Sequence, residues 1–318
     1  MKQKHTVRWV LYHEPLELFI RTAEAFAKEI TQLTDGRIDI EIYTLPEYAA
    51  KFTNGVEFDP MTLMENNDIE MTQVQVGQLG QWNATDMFAL ELPFLFNSHN
   101  HATRVLEGPI GQSLLSGLKD STPATGLAFT YSGGYRCIAS DRPVKTVEDL
   151  KNLEMITYLN PVMVDTATAF GCVPVPIHNG TLEQADREIK MTTSAVETTL
   201  PRYEKETNPE LHKYVANTKH SMYLTSIIVN TEFWNKLSKE DQEAMSQAAL
   251  ITSRLEREWS VNDANEISDS AEKQKELGII FSEFDVEATD ELKALSQPII
   301  DKYKEFFTPG LVDGIIRG

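Results

Sequence analysis

The stretch TVRWVLYHEPLELFIRTAEAFAKEITQLTDGRIDIEIYTL, residues 6–45, decides the fold class. Residues 6–13 are mostly valine, other apolar residues and aromatics, a composition typical of a strand. Residues 16–34 place apolar side chains at helical spacing, and Asp35-Gly36 ends that pattern. Residues 37–45 then alternate apolar and polar side chains, as a second strand does. A strand, a helix and a strand of these lengths predict a βαβ unit, and therefore parallel strands in an α/β protein.

The rest of the chain continues this alternation of strands and helices. An apolar run at 89–96 contains Pro93, which favours a packing segment between lobes over a central strand. Further strands are predicted at 69–76, 126–140 (two runs), 155–158, 173–177, 190–198 and from Ser226. Further helices are predicted at 57–67, 102–118, 146–154, 162–170, 181–189 and, as one long charge-rich region, 238–277.

The length of 318 residues exceeds that of a usual single core and favours two lobes that share a cleft. The sequence contains no internal repeat and no flexible linker, so structured segments are expected to pass between the lobes more than once. We assign 1–130 mainly to the first lobe and 131–225 mainly to the second. Residues 226–318 are predicted to supply a crossing strand, the long helical region and the C-terminal helices.

The charge balance excludes several classes of partner. With 29 basic and 48 acidic residues the net charge is −19, which repels nucleic acid and an anionic membrane surface. No apolar run is long enough for a transmembrane helix. The opening MKQKHTVRWVLYHEP lacks the apolar stretch and cleavage site of a signal peptide, so we expect either a cytoplasmic protein or a mature form.

No motif in the sequence indicates catalysis. It contains no nucleophile elbow, Walker A loop or dinucleotide-binding glycine pattern, so we predict neither an enzyme nor a cofactor. The seven histidines lack the spacing of metal ligands, and we interpret His99 and His101 as loop residues. Cys137 and Cys172 form either one disulfide or two buried free thiols.

Four segments carry a resemblance to a known family. In order and spacing they resemble the solute-binding subunits of tripartite ATP-independent periplasmic (TRAP) transporters, of the dicarboxylate-binding-protein type. They are TDGRIDIEIY at 34–43, LPFLF at 92–96, GYRCIASDRPVKTVEDLKNLEM at 134–155 and IIVNTEFWNKLSKEDQEAM at 227–245.

This resemblance implies a periplasmic-binding-protein-like clamp: two α/β lobes with mixed sheets and a long helix that spans both. It also implies a periplasmic protein, expected to be a monomer, that captures a small organic acid, closes its lobes and delivers the ligand to the membrane subunits of a transporter. A ligand-sensing role for a membrane receptor is an alternative, because the clamp would look the same.

One departure from the family pattern concerns the anion site. The family places an arginine after its Asp-Leu-Lys-Gly-Leu segment, where it binds the ligand carboxylate through its planar fork of donors. Ile156 occupies that position here, whereas Arg136 matches a second arginine that some members use. Either Arg136 holds the carboxylate with help from Thr157 or Tyr158, or the ligand is neutral or cationic and Ile156 lines an apolar wall. We favour the acid.

Other candidate ligand contacts come from strand ends and from the family pattern. His13 and Glu14 follow the first strand, and the end of a strand is where the cleft is expected in this class of sheet. The remaining candidates are Gln75 at the end of the third strand, His178 and Asn179 after VPVPI, and Glu197 and Thr198, which match a family segment at 183–198. Arg142 and Arg202 are interpreted as surface ion-pair partners.

Overall fold

The computed structural model describes residues 4–13, 16–178 and 184–318. Within these ranges no helix is long and apolar enough to cross a membrane. The strands are β1 His5–Leu11, β2 Ile38–Thr44, β3 Met71–Gln75, β4 Ala124–Tyr135, β5 Cys137–Ser140, β6 Glu154–Tyr158, β7 Val173–Ile177, β8 Ala195–Thr198, β9 Tyr214–Asn217, β10 Met222–Asn230 and β11 Ile280–Glu283.

The helices cover about as much of the chain as the strands and loops together. They are α1 Leu16–Leu33, α2 Leu45–Phe52, α3 Pro60–Glu65, α4 Val76–Gln81, α5 His99–Glu107, α6 Pro109–Gly117, α7 Val147–Leu150, α8 Pro161–Ala169, α9 Gln184–Thr192, α10 Tyr203–Glu206, α11 Thr231–Lys236, α12 Lys239–Ser268, α13 Ala271–Glu276, α14 Val286–Phe306 and α15 Leu311–Arg317. Three short 3₁₀ turns lie at Thr85–Glu91, Leu118–Asp120 and Leu200–Arg202.

The predicted βαβ unit is confirmed. β1 pairs with β2 in parallel, from His5 opposite Ile38 to Leu11 opposite Thr44. α1 connects the two strands and packs its apolar face on the sheet, where Phe26 meets Trp9 edge to face at 5.2 Å between ring centroids. This unit forms one side of the first sheet.

Two mixed sheets form the α/β architecture that the sequence predicts. The first has the strand order β2-β1-β3-β10-β4, with β10 antiparallel to β3 and to β4. The second has the order β11-β9-β5-β8-β6-β7, with β5 antiparallel to β8 and β9. Separate apolar clusters lie against each sheet, because every sheet face that is removed from water needs its own packed layer.

Two short connections between the sheets lie next to each other. Arg136 is the single residue between β4 of the first sheet and β5 of the second, and residues 218–221 connect β9 to β10. The two crossings are hydrogen-bonded, since Arg136 N donates to Ser221 O at 2.9 Å and Lys219 N donates to Arg136 O at 3.1 Å. The lobe boundaries inferred from the sequence remain a prediction.

Two long helices run past both sheets. α12 has 30 residues and contacts α1 and β4, and also the turn Leu200–Arg202 beside the second sheet. α14 packs Ala288 and Leu292 into a core of the second sheet, and Ile299 and Tyr303 into a core of the first. The prediction of a long helix that spans both lobes is confirmed.

Two predicted helices are each divided in the structure. The region predicted as one helix from 238 to 277 begins as expected at the N-cap Ser238, but α12 ends at Ser268 and Ser270 caps a separate helix, α13. The helix predicted at 102–118 is two helices, since Gly108 and Pro109 separate α5 from α6. The interpretation of His99 and His101 as loop residues is wrong, because both lie in α5.

The alternatives for the cysteines are resolved within the described residues. Cys137 and Cys172 are both free and buried, and they belong to different apolar clusters. Burial raises the pKa of each thiol to about 12, because the thiolate would lose its hydration.

Candidate ligand-binding site

Arg136 lies at the centre of the candidate site. Its position between β4 and β5 places it at the crossing between the two sheets, where its side chain is 1% exposed. Nη2 donates to Glu91 Oε1 at 3.0 Å, and Nε lies 3.4 Å from Glu197 Oε1. Nη1 is buried and has no hydrogen-bond partner among the described residues. The guanidinium is therefore held by two carboxylates while one edge is left for a further acceptor.

Glu91 ends the 3₁₀ turn Thr85–Glu91 and is buried between the sheets. Besides Arg136, its carboxylate accepts hydrogen bonds from Nε2 of Gln75 and Nδ2 of Asn160. Gly77 leaves room for this carboxylate, because a β-carbon at that position would clash with Glu91 Oε2. Burial raises the pKa of Glu91 to about 7, and the nearby charge of Glu197 adds to the effect despite the opposing charge of Arg136.

Glu197 is the second carboxylate on Arg136. Oε1 also accepts from His220 Nε2 at 3.1 Å and from Ser221 Oγ at 3.4 Å. Burial alone would raise the pKa of Glu197, but the charge of Arg136 and the hydrogen bond from His220 outweigh it and hold the pKa below its ordinary value. The charged form of Glu197 is therefore favoured, and it neutralises Arg136.

Tyr223 connects Arg136 to a second buried arginine. The guanidinium carbon of Arg136 lies 4.3 Å from the centroid of the Tyr223 ring, and that of Arg202 lies 4.2 Å from it. Both distances lie within cation–π range. The interpretation of Arg202 as a surface residue is wrong, since its side chain is 2% exposed.

Arg202 belongs to an ion cluster around Glu206. Nη1 donates to Ser132 Oγ at 2.8 Å, and Nη2 pairs with Glu206 Oε1 one helical turn away. Lys190 Nζ also approaches Glu206 Oε1, at 3.3 Å, and Thr198 Oγ1 donates to Glu206 Oε2 at 3.1 Å. These partners outweigh the burial of Glu206 and hold its pKa below the ordinary value, so the carboxylate stays charged.

His13 and Gln75 lie side by side at the ends of β1 and β3. Gln75 N donates to His13 Nε2 at 3.3 Å, which requires a neutral imidazole nitrogen. Burial and the charge of Arg202 lower the pKa of His13 to about 3, so the ring is neutral at ordinary pH. The Oε1 atom of Gln75 is buried and lacks a hydrogen-bond partner within the described ranges.

Residues 156–158 alternate across β6. Ile156 and Tyr158 share an apolar cluster with Ile177 and Val196, so no donor reaches the site from position 156. Lys190 Nζ donates to the hydroxyl group of Tyr158 at 3.5 Å. Thr157 points to the opposite face, and its buried Oγ1 has no partner in the part of the chain that the structure describes.

The structure thus brings together seven of the predicted residues and leaves three apart or undescribed. Arg136, Gln75, His13 and Glu197 are linked by the contacts above, Tyr158 and Thr198 border the Glu206 cluster, and Thr157 lies on β6 beside them. His178 is largely exposed and pairs with Asp186 at 3.1 Å. Glu14 and Asn179 lie outside the described residues.

Several buried polar residues of the site escaped the sequence analysis: Glu91, Asn160, Arg202, Glu206, His220 and Tyr223. Glu91 had a detectable signal, because it is the one charged residue in the apolar run ALELPFLF. The sequence signal for Arg202 and Glu206 was weaker. Opposite charges four residues apart form an ion pair on a buried helix as well as on an exposed one, so the spacing predicts the pair and not its burial. The depth of burial had no signal in either case.

No metal site accompanies this cluster in the described residues: no group of three or more His, Cys, Asp and Glu side chains is placed to hold an ion there. What the arrangement offers is one buried guanidinium edge, an amide oxygen and a hydroxyl group, with two tyrosine rings near by. Such groups bind and orient a small polar molecule.

Comparison with known proteins places the chain among binding proteins. Residues 12–306 match the family model described as bacterial extracellular solute-binding protein, family 7 (DctP). The chain is 27% identical over 244 residues to the solute-binding protein RD1_1052 of Roseobacter denitrificans, covering 74% of this chain and 69% of the relative. A structure of that relative with bound L-galactonate matches with a TM-score of 0.77 over 99% of each chain, at 23% identity.

A second solved structure gives the same result. A TRAP periplasmic solute-binding protein from Ochrobactrum anthropi superposes with a TM-score of 0.82 at 25% identity, covering 99% of this chain and 94% of the other. The resemblance to the TRAP solute-binding proteins is thereby confirmed. The chain belongs to family 7 of the bacterial extracellular solute-binding proteins.

Proposed function

We propose that this protein binds one small organic acid between its two sheets and delivers it, chemically unchanged, to the membrane subunits of a TRAP transporter. The acid carries a single carboxylate and further hydroxyl groups. The protein acts outside the cytoplasm as a monomer, and its lobes close on the ligand. Membership of a solute-binding family supports the binding role, and the proposal for the ligand rests on the site around Arg136.

The observation that carries the proposal is the unpartnered Nη1 of Arg136. Buried polar groups nearly always have hydrogen-bond partners, and this donor lies at the crossing between the two sheets with no partner among the described residues, so we assign it to the ligand. Two further buried atoms without partners in the described ranges, Gln75 Oε1 and Thr157 Oγ1, belong to residues that the sequence predicts for the same site. A ligand carboxylate would satisfy Nη1 of Arg136, and a ligand hydroxyl group would satisfy Oγ1 of Thr157.

The charges around the site favour one carboxylate over two. Arg136 already faces Glu91 and Glu197, while Arg202 and Lys190 share Glu206. Ile156 is buried among apolar side chains and offers no substitute for the arginine that the family has there. The three cations Arg136, Arg202 and Lys190 are already balanced by the three carboxylates Glu91, Glu197 and Glu206, so each ligand carboxylate adds an uncompensated buried charge and a second one costs more hydration than the first.

The solved relatives agree with this ligand class. Crystal structures similar in fold to this chain contain D-erythronate, galactonate and D-glucuronate, and another has density interpreted as pantoate. Each is a monocarboxylic acid with hydroxyl groups. They support the class of ligand and do not select one acid for this chain.

The proposal is tested by titration calorimetry with a panel of sodium salts: galactonate, glucuronate, erythronate, pantoate and succinate, with galactitol as an uncharged analogue. At least one hydroxy acid is expected to bind more tightly than succinate or galactitol. Arg136→Lys keeps the charge but loses the Nη1 donor. It should lower the affinity for that acid by about ten- to a hundredfold, or ~1.5–3 kcal/mol. Arg142→Lys, at an exposed arginine six residues later, should not change affinity.

Two results would contradict the proposal. Unchanged affinity of Arg136→Lys for the acid would remove Arg136 from the ligand site. Tighter binding of a neutral compound than of any acid would replace the anion hypothesis with the neutral or cationic alternative that Ile156 raises.

A further inference from the structure

A ligand carboxylate at Arg136 would be the third carboxylate around one guanidinium. Glu91 and Glu197 already lie within 3.4 Å of it, and all three side chains are almost completely buried. One positive charge cannot balance three negative ones where water is excluded. One of the carboxylates is therefore expected to be neutral in the complex.

The surroundings of the two protein carboxylates identify which one. Glu197 has His220 and Ser221 as additional donors besides Arg136, and these favour its charged form. Among the described residues, Arg136 is the only charged donor to Glu91, and the other two side-chain donors are the neutral amides of Gln75 and Asn160. Glu91 is the carboxylate that gives up its charge most readily.

The titratable and charged groups near Glu91 come from several elements. Arg136 at the β4–β5 crossing and Glu197 on β8 act on Glu91 through their charge. The other titratable groups of the cluster are His220 before β10, Tyr223 on β10, Tyr158 on β6 and His13 after β1, which are linked to Glu197, Arg136 or Gln75. Of these only Arg136 contacts Glu91 directly. His13 is neutral, since its Nε2 accepts a hydrogen bond, and burial raises the pKa values of Tyr158 and Tyr223 above their ordinary range.

Gln75 supplies the acceptor that a protonated Glu91 needs. Its Nε2 contacts Glu91 Oε1, while its Oε1 is buried without a partner in the described part of the chain. A half-turn of the amide exchanges these two atoms. The oxygen then accepts the proton of Glu91, and the NH₂ group becomes a donor for the ligand carboxylate next to Nη1 of Arg136.

We propose that the carboxylate ligand binds together with one proton, which is held between Glu91 and Gln75. The inference rests on the proposed function, because it requires an anionic ligand at Arg136. The pKa of Glu91 in the ligand-free protein, raised to about 7 by burial, leaves this group mostly charged above neutral pH. A ligand anion raises that pKa further, so binding takes up a proton there and affinity falls as the pH rises, by up to about tenfold per pH unit.

The test is calorimetry of sodium galactonate, or of whichever acid in the panel above binds most tightly, at about pH 8 in phosphate and in Tris. The difference in heat between these buffers gives the number of protons taken up, which should be close to one for the wild type. Glu91→Gln is a neutral isostere and should bind the acid with uptake near zero and an affinity independent of pH. Glu283→Gln, at an exposed carboxylate on β11, should behave as the wild type.

The outcomes separate this inference from the proposed function. If the acid binds to the wild type without proton uptake between about pH 7 and 9, the inference is wrong and the proposed function stands. Uptake that persists in Glu91→Gln would assign the proton to another group and would also overturn the inference. If no acid in the panel binds, the proposed function fails and the inference fails with it. The wild-type measurement decides even if Glu91→Gln does not fold.

Discussion

Arg136 has two roles that mutation can separate. It offers one edge to a ligand, and it neutralises Glu91 and Glu197 where water cannot. A buried charge that loses its partner costs far more than the pair gains, so removing this guanidinium affects folding as well as binding. A loss of affinity in an alanine variant alone would therefore not identify a ligand contact.

Arg136→Ala should lower the free energy of unfolding by about 3–5 kcal/mol near neutral pH, because two buried carboxylates lose their counter-charge. The loss should be smaller at about pH 5, where Glu91 is protonated in the folded state. Urea unfolding at both pH values measures this, with Arg142→Ala at an exposed position as the control. Equal stability of Arg136→Ala and the wild type would mean that the two carboxylates do not depend on Arg136.

The sequence identifies some of these residues and misses others for a physical reason. Arg136, Glu197 and Gln75 could be placed because they match a family segment or end a predicted strand. Glu91 and Arg202 could not, because a charged side chain is normally exposed and only tertiary packing reveals the exception. Ile156 was recognised as a departure from the family, but the sequence does not reveal the apolar cluster that surrounds it.

At the scale of elements, β3 carries two glutamines, and each donates a hydrogen bond to a buried glutamate. Gln75 contacts Glu91 at the site, and two residues earlier Gln73 Nε2 donates to both oxygens of Glu256, at 2.8 and 2.9 Å. Glu256 lies on α12 and is completely buried, and this burial raises its pKa to about 8. The Oε1 atom of Gln73 lacks a partner in the described ranges, as that of Gln75 does.

Glu256 should make the protein less stable as the pH rises. Its ordinary pKa is 4.5, so between about pH 4.5 and 8 the folded state holds a proton that the unfolded state has lost. Glu256→Gln keeps the shape without the charge, and should be more stable than the wild type at about pH 8.5 by ~1–3 kcal/mol. Its melting temperature should also depend less on pH. Some dependence should remain, because Glu91 also has a raised pKa.

Thermal unfolding from about pH 5 to 9 measures this effect, with Glu258→Gln at an exposed position of the same helix as the control. A Glu256→Gln variant that follows the wild-type pH profile would mean that Glu256 is already charged in the folded protein. A profile shifted equally in both variants would assign the effect to the net charge of α12.

The elements themselves were largely predictable where local pattern and burial agree. β1, α1 and β2 follow the expected bounds closely, because a period of two or of 3.6 residues places one apolar face on the core. The division between α12 and α13 was missed because Asp269 and Ser270 are not strong helix breakers, and the capping bond of Ser270 forms only in the folded chain. Local sequence carries that signal weakly.

At the scale of the whole molecule, the surface and the site have opposite character. The chain carries a net charge of −19, yet the buried cluster gathers Arg136, Arg202 and Lys190 around its carboxylates. A fixed local cation can thus favour an anionic ligand inside a protein that repels anions at a distance. The overall charge, the one electrostatic quantity available without a structure, therefore gives no information about the ligand.

The two-lobed arrangement is predicted from the chain length and the family resemblance, whereas the exact position of the crossing is not. The crossing at Arg136 depends on β4 and β5 pairing in different sheets although one residue separates them. That single residue makes Arg136 part of both halves, and the Glu91–Asn160 contact joins a turn beside the first sheet to the end of β6 in the second. Closure of the lobes would assemble the same contacts, as expected of a hinged clamp.

The most direct test of this account is native mass spectrometry of the purified protein, followed by denaturation and identification of the compound released. The account predicts one small hydroxylated monocarboxylic acid per chain, retained by Arg142→Lys and depleted in Arg136→Lys. A neutral or cationic compound bound in stoichiometric amount, and retained equally by both variants, would contradict the account.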